Sequence, residues 1–261
     1  MIDIHPPHHA ATTRRDFFIH IATIVLGIFI AIGLEQTVEY IHHVHQRHQL
    51  EDNLREELSE DVRHDAGNFR VFAQIRAYTV ELKSAVSARR TGMAAPPAPP
   101  AANDSRRHQI PTAPSIAIWE AAKLDATITL LPSKEIDVFH GVVLQHDLTF
   151  NALDDFQHAA FALESFEERF VDSPGAFDMG YAAPLPNLDT MSPADLTQYE
   201  SLLASYIKAV DRLTVRLHFF DRVIRGVLDG ATDRDDLTRR AFPDRKPPSL
   251  DVPPTEESTH L

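Results

Sequence analysis

The 261-residue sequence contains no cysteine, and this absence excludes disulfide bonds, thiolate metal sites and cysteine nucleophiles together. Glycine is scarce, with nine copies, which leaves little capacity for tight substrate-binding loops. Neither a G-x-S-x-G nucleophile motif nor a Walker A phosphate loop is present. The residues therefore give no positive support for an enzyme, and we expect a non-catalytic protein without a cofactor.

Proline is missing from three long windows, residues 8–95, 133–173 and 194–242, although the chain has 18 prolines. Because a proline inside a helix costs about 3 kcal/mol, long helices form in such windows. No run of strict apolar–polar alternation indicates a strand. The sequence predicts an all-α fold, with an N-terminal transmembrane helix followed by a long-helix bundle that contains a coiled-coil-like antiparallel hairpin.

Positive charge is also in short supply, since 25 lysines and arginines face 38 acidic residues and the net charge is −13. Such a surface repels nucleic acid and anionic lipid, so we expect no nucleic-acid partner.

One long apolar run stands out, FFIHIATIVLGIFIAIGL at residues 17–34, which carries no formal charge. As a helix it spans about 27 Å, close to the hydrocarbon thickness of a bilayer. A buried core helix and a cleaved signal are the alternatives, and residues 13–18 resemble a twin-arginine export signal. Residues 35–40 offer no small-x-small cleavage site, so we predict an uncleaved anchor that contacts the lipid bilayer.

Charge near this run predicts its orientation. Arg14 and Arg15 precede it, whereas Arg47 is the only lysine or arginine within about 15 to 20 residues after it. Positive charge tends to stay cytoplasmic, so we expect a cytoplasmic N-terminus and the bulk of the chain on the other side.

Residues 32–36, Ile-Gly-Leu-Glu-Gln, and residues 40–43, Tyr-Ile-His-His, carry a resemblance to uncharacterised bacterial single-pass membrane proteins. In those proteins a membrane helix runs into a charged, often histidine-bearing helix. The resemblance covers residues 17–43 and implies a bacterial membrane anchor followed by helices. It implies no function and no site residues. With the charge bias, we expect a single-pass protein of the bacterial inner membrane whose N-terminus is cytoplasmic and whose bulk is periplasmic.

The predicted organisation follows from these features and from the proline-rich stretches. It comprises a disordered N-terminus (1–15), a transmembrane helix (16–34), one or more juxtamembrane amphipathic helices (35–90), a Pro/Ala-rich linker (91–114), a helical bundle (115–230) and a disordered tail (231–261).

The last predicted helix has the most regular periodicity. Ser192 can cap it, Pro193 fits its first position, and Asp195 completes a capping box. Its apolar residues are spaced three and four alternately, as in a coiled coil. They are Leu196, Tyr199, Leu203, Tyr206, Val210, Leu213, Leu217, Phe220, Ile224 and Val227. The partner is either the helix predicted over residues 134–171, running antiparallel, or a second copy of the chain.

Two other stripes are predicted. The first has leucines at 50, 54 and 58 with Val62. Beside it lies an acidic face that we interpret as solvated, made by Glu51, Asp52, Glu56, Glu57, Glu60 and Asp61. A bend is expected at residues 67–68. The second predicts a shared buried face on residues 134–171, made by Phe139, Val143, His146, Phe150 and Leu153. Ser115 is the expected cap of a shorter helix that ends at Leu131.

Histidine is abundant, with 15 copies, and His42, His45 and His48 are spaced by three just beyond the apolar run. On a helix they could share a face, as metal ligands require, or gain charge as pH falls through the low sixes. The simpler interpretation is that histidine is tolerated at a membrane–water boundary.

Together these features favour a membrane-anchored, non-catalytic helical protein that acts through contacts with a protein partner or with a second copy of itself. The alternatives are a histidine-based metal or pH sensor at the membrane surface, and an exported enzyme whose site has no recognised motif.

Overall fold

A computed structural model describes residues 14–93, 111–171 and 186–244. Within these ranges the chain forms α1 (Arg14–Thr91), α2 (Ala117–Leu124), α3 (Ser133–Glu167), α4 (Pro193–Leu228) and α5 (Arg234–Ala241). Short 3-10 helices cover Thr127–Leu130, Glu168–Phe170 and Leu188–Thr190. The described residues contain no strand, which confirms the all-helical prediction.

The chain divides into two compact units, Met1–Asp52 and Asn53–Leu261. In the first unit, residues 17–34 of α1 expose their apolar side chains on every side of the helix. Among the described residues, α1 is the one helix that is long and apolar enough to cross a membrane.

In the second unit, residues 53–91 of α1 form a common core with α3 and α4. Ring centroids of Phe72 and Phe156 lie 5.7 Å apart, and those of Phe156 and Tyr206 lie 5.5 Å apart. Further along, Phe166 stacks on Tyr199 at 5.4 Å. Residue numbers rise along α3 as they fall along α4, so these two helices pack in opposite directions.

The start of α4 is as predicted. Ser192 is the N-cap, its side chain accepts from the backbone N–H of Asp195, and the Asp195 carboxylate accepts from the backbone N–H of Ser192. Pro193 occupies the first helical position. All ten residues of the predicted stripe are buried, and seven of them, from Leu196 to Leu217, belong to the core shared with α1 and α3.

The bend expected at residues 67–68 is absent, since α1 runs through Gly67 without interruption. Its buried positions in the second unit keep the three-and-four spacing instead of the predicted step of four, and Val62 is only half-buried. This series consists of Leu54, Leu58, Asp61, Asp65, Asn68, Phe72, Ile75, Thr79, Leu82 and Val86, and Ala85 and Ala88 are buried beside it. The acidic face is therefore only partly solvated, because Asp61 belongs to the buried stripe.

The predicted face of α3 is only partly correct, since Phe139 and Leu153 are buried but Val143 and His146 are half-buried and Phe150 is exposed. Phe150 is 51% exposed, whereas its neighbour Thr149 is fully buried. The Thr149 hydroxyl lies 2.8 Å from the carbonyl oxygen of Gln145 and 3.4 Å from that of Arg216 on α4. A hydroxyl that donates a hydrogen bond to a backbone carbonyl oxygen can be buried at little cost. Thr149 therefore lies in the core, and the ring of Phe150 lies at the surface.

Residues 231–261 were expected to form a disordered tail, but residues 234–241 form α5. Its Leu237 is buried against two glycines: a Cβ placed on Gly141 or Gly226 would lie 3.1 or 2.9 Å from the Leu237 methyl groups. Asp233 caps the helix by accepting from the backbone N–H of Asp236. Apolar contact on both glycines thus orders a segment whose charge suggested disorder.

The helix expected to end at Leu131 stops earlier, at Leu124. Ala126 adopts a left-handed conformation with φ of 63°, which breaks the helix before a 3-10 turn begins. The predictions for residues 1–13, 94–110 and 245–261 lie outside the described residues.

Candidate functional site

A polar site lies where α1 meets the segment 111–118, which leads into α2. The carboxylate of Glu57 accepts hydrogen bonds from the Ser115 hydroxyl at 2.6 Å and from the backbone N–H of Ala117 at 2.7 Å. It also accepts from the backbone N–H of Ile118 at 3.3 Å. Ile116 is the N-cap and has no side-chain cap of its own, so an acid of α1 satisfies the first N–H groups of α2.

Two further side chains of α1 bind the backbone of the same segment. Asn68 donates to the Thr112 carbonyl oxygen at 3.0 Å and accepts from the Thr112 N–H at 3.1 Å. Asp61 accepts from the Ser115 N–H at 3.2 Å. Glu57, Asp61 and Asn68 thus hold the irregular residues 111–116 and the first two residues of α2 on one face of α1.

Asp65 lies among these residues but makes no bond to the segment. It is 2% exposed, its Oδ1 is 3.5 Å from the Asn68 amide, and its Oδ2 has no hydrogen-bond partner. Burial, and next the negative charge of Asp221 on α4, raise the pKa of Asp65 to about 7. Asn68 and the positive charge of Arg225 oppose that rise.

Asp61 is 3% exposed, and its burial raises the pKa of the carboxyl to about 6. The Ser115 N–H and His146 on α3 favour the charged form, whereas the acids Glu57 and Glu60 disfavour it. The pKa values of two carboxyl groups one helical turn apart are therefore both raised toward neutral pH, which is uncommon for aspartate.

A shallow groove of about 500 Å³ runs beside the Asn68–Thr112 pair. Its α1 wall carries Arg63, His64 and Arg70, and Pro111 and Thr112 form the other side. The groove therefore combines basic side chains with the start of the segment that Asp61 and Glu57 hold.

The three histidines of the predicted metal site all lie on α1, and all three are exposed. His48 Nδ1 is 3.5 Å from Glu51, and Glu51 also accepts a 2.5 Å bond from Arg47. In the part of the chain that the structure describes, no three histidine or acidic side chains are grouped closely enough to hold a metal ion. The spacing of His42, His45 and His48 thus places them on a common helix, and metal binding by them stays a prediction.

Comparisons with protein-family models, curated proteins and solved structures give no match. Functional inference for this chain therefore rests on its own residues and geometry.

Sequence reasoning missed the polar site because Glu57 and Asp61 were assigned to a solvated acidic face. The available signal was spacing. Asp61, Asp65 and Asn68 continue the three-and-four series that begins at Leu54 and Leu58. A polar residue in register with an apolar stripe is a candidate buried group even where its neighbours are charged.

Proposed function

We propose that the protein is anchored in a bacterial inner membrane by residues 17–34 and acts, without catalysis, through protein contacts made by its helical unit. The observation that carries the anchor is exposure. Apolar side chains such as Leu26 and Phe29 are 61% and 68% exposed and none of residues 17–34 is buried, whereas the second unit has a buried apolar core. Removing apolar area from water contributes about 25 cal/mol per Å², so the exposed side chains of residues 17–34 favour an apolar medium or an apolar partner over water. A bilayer matches the length and all-round character of the run.

The N-terminus is cytoplasmic and the helical unit periplasmic in this proposal, because Arg14 and Arg15 outweigh Arg47. Alkaline phosphatase fused after residue 240 is expected to be active, since it folds only outside the cytoplasm. Green fluorescent protein at the same position is expected to be dark. An inactive phosphatase together with a fluorescent fusion would invert the orientation.

We further propose that α3 and α4 form an antiparallel coiled-coil-like hairpin. Ten buried residues of α4 follow the three-and-four spacing without a gap, and ten of α1 do the same. Pairs across α3 and α4 support the antiparallel direction: Tyr199 donates to Glu167, and Arg212 pairs with Asp155. Such a bundle is a scaffold whose outer faces are available for contact.

One of these outer faces is aromatic. Phe150 and Phe161 on α3 are 51% and 64% exposed. Eleven residues make about three helical turns, so both rings lie on the same side of α3. Exposed aromatic side chains in common register are typical of surfaces that bind protein, and we assign the contact with a partner or a second copy to this face.

Photo-crosslinking in native membranes tests the contact. A photoreactive amino acid in place of Phe161 is expected to give a defined higher-mass adduct. The same amino acid in place of Arg63, which is 67% exposed on α1, serves as the control and is expected to give none. Equal labelling at both positions, or none at Phe161, would contradict the assignment.

The alternative function is a response to metal or pH through His42, His45 and His48. Calorimetric titration of the full chain in detergent with zinc, copper and nickel distinguishes it. We expect no stoichiometric heat, and a saturable 1:1 isotherm that is lost in a His45→Ala chain would favour the metal sensor instead.

A further inference from the structure

We propose that residues 111–118 form a latch that is closed on α1 while Asp61 and Asp65 carry protons and is released when they lose them. The inference is independent of the anchor and of the partner contact proposed above, because it concerns groups inside the second unit alone.

The latch is held on α1 by hydrogen bonds from three side chains. It has the sequence PTAPSIAI, which contains no charged residue, and it lies on α1 through Glu57, Asp61 and Asn68. Pro111 and Pro114 are buried, while Thr112 and Ala113 are exposed. A segment held mainly by side-chain to backbone hydrogen bonds at one helix face opens more readily than the helices beneath it.

The groups around the two carboxyls make their charged forms unfavourable. From α1 itself Glu57 and Glu60 add negative charge near Asp61, and Asp61 and Asp65 repel each other. From α4, Asp221 lies near Asp65, but Arg225 is bonded to Asp221 at 2.9 Å and is shared between the two acids.

The remaining neighbours are few. His146 of α3 is the single positive contribution near Asp61, its ring is stacked with Phe150, and its Nδ1 is 3.1 Å from Asp147. The latch contributes only the Ser115 N–H. No neighbour therefore fully compensates two buried negative charges.

The direction of the pH effect follows. The pKa values of Asp61 and Asp65 are raised in the folded chain, to about 6 and about 7, from an ordinary value of 3.8. The closed form therefore has its full advantage below about 3.8 and has lost it once pH has risen through about 6 to 7. Asp61 binds Ser115 and Asn68 binds Thr112, and Asp65 lies between these two positions on the buried face of α1. In this proposal, lifting the latch admits water to both carboxylates, so opening removes the cost of their deprotonation.

The chain carries its own reporter of this event. Trp119 is its only tryptophan, lies in α2 directly after the latch, and is 3% exposed. Its ring stacks on Phe139 at 5.5 Å and meets His140 edge-on at 5.6 Å. Exposure to water moves tryptophan emission to longer wavelength. The wavelength is the readout, because a nearby histidine that gains charge changes the intensity.

The experiment follows Trp119 emission of the full chain in detergent micelles from pH 5 to pH 8.5. We expect a shift to longer wavelength with a midpoint between about 6 and 7, at constant helical circular dichroism. Asp65→Asn, which keeps the size and removes the charge, is expected to lose most of the shift. Glu56→Gln, which removes an exposed carboxylate of the same helix, is expected to leave it unchanged.

Three results would overturn the latch. The first is an emission maximum of the native chain that stays constant with pH. The second is a shift that persists in the double variant Asp61→Asn/Asp65→Asn and therefore arises from histidine. The third is a shift that is accompanied by loss of helical circular dichroism. Should the aspartate variants fail to fold, a spin-label pair answers the question in a chain with both aspartates. The chain has no cysteine, so Arg63→Cys/Ala113→Cys places both labels uniquely. Their separation is expected to widen from pH 5 to pH 8.5, and an unchanged separation would contradict release.

Discussion

Replacing Leu213 by alanine perturbs the centre of the buried α4 stripe. Leu213 is 1% exposed, and its stripe neighbours Val210 and Leu217 are 0% and 2% exposed. Removing a leucine side chain from such a site loses transfer energy and leaves a cavity, which costs roughly 2 to 5 kcal/mol. A domain has about 5 to 15 kcal/mol of stability in total, so the loss is a large fraction of it.

The chain offers a matched control in Leu144 on α3, which is 50% exposed. Leu144→Ala makes the same chemical change without opening a core cavity, so we expect a loss of about 1 kcal/mol or less. The assay is urea unfolding of the full chain in detergent at pH 5.5, followed by Trp119 emission. With a urea dependence of about 2 kcal/mol per M, Leu213→Ala lowers the midpoint by roughly 1 to 2.5 M.

Equal midpoint shifts for Leu213→Ala and Leu144→Ala would refute the packing of this stripe. A midpoint that rises with protein concentration would instead show that a second chain covers part of it.

Two further predictions use the same unfolding assay. Gly226→Ala should cost about 1 to 3 kcal/mol, because its Cβ would lie 2.9 Å from Leu237, whereas Gly67→Ala, with open space around its Cβ, should gain about 0.5 to 1 kcal/mol. A gain at both positions would contradict the docking of α5. Tyr199→Phe removes a buried 2.5 Å hydrogen bond to Glu167 and should cost about 1 to 3 kcal/mol, and an unchanged midpoint would show that this bond contributes no net stability.

The contrast between α4 and α1 shows how far sequence reasoning reaches. The α4 stripe is apolar at all ten positions, so its spacing alone identifies the buried face. In α1 the same spacing passes through Asp61, Asp65, Asn68 and Thr79, and hydrophobicity no longer marks the positions. Periodicity with a strict apolar criterion therefore finds the whole stripe of α4 and misses these four positions of the α1 stripe.

The polar site required knowledge of contacts between distant parts of the chain. Ser115 was the expected cap of α2, and its hydroxyl does lie 3.2 Å from the Ala117 N–H. Glu57 accepts from the same N–H at 2.7 Å although it is 60 positions away in sequence. No local pattern reveals such a cap, because it depends on how α1 packs against the segment. The raised pKa values of Asp61 and Asp65 depend on the same packing.

The anchor formed by residues 17–34 is the central claim, and alkaline carbonate extraction of membranes containing the full chain tests it most directly. The washed membrane pellet and the supernatant are each analysed by intact mass. The account predicts that the chain remains in the pellet at the mass of the uncleaved sequence, 29.3 kDa. Recovery in the supernatant, or of a shortened chain that begins after Leu34, would contradict it.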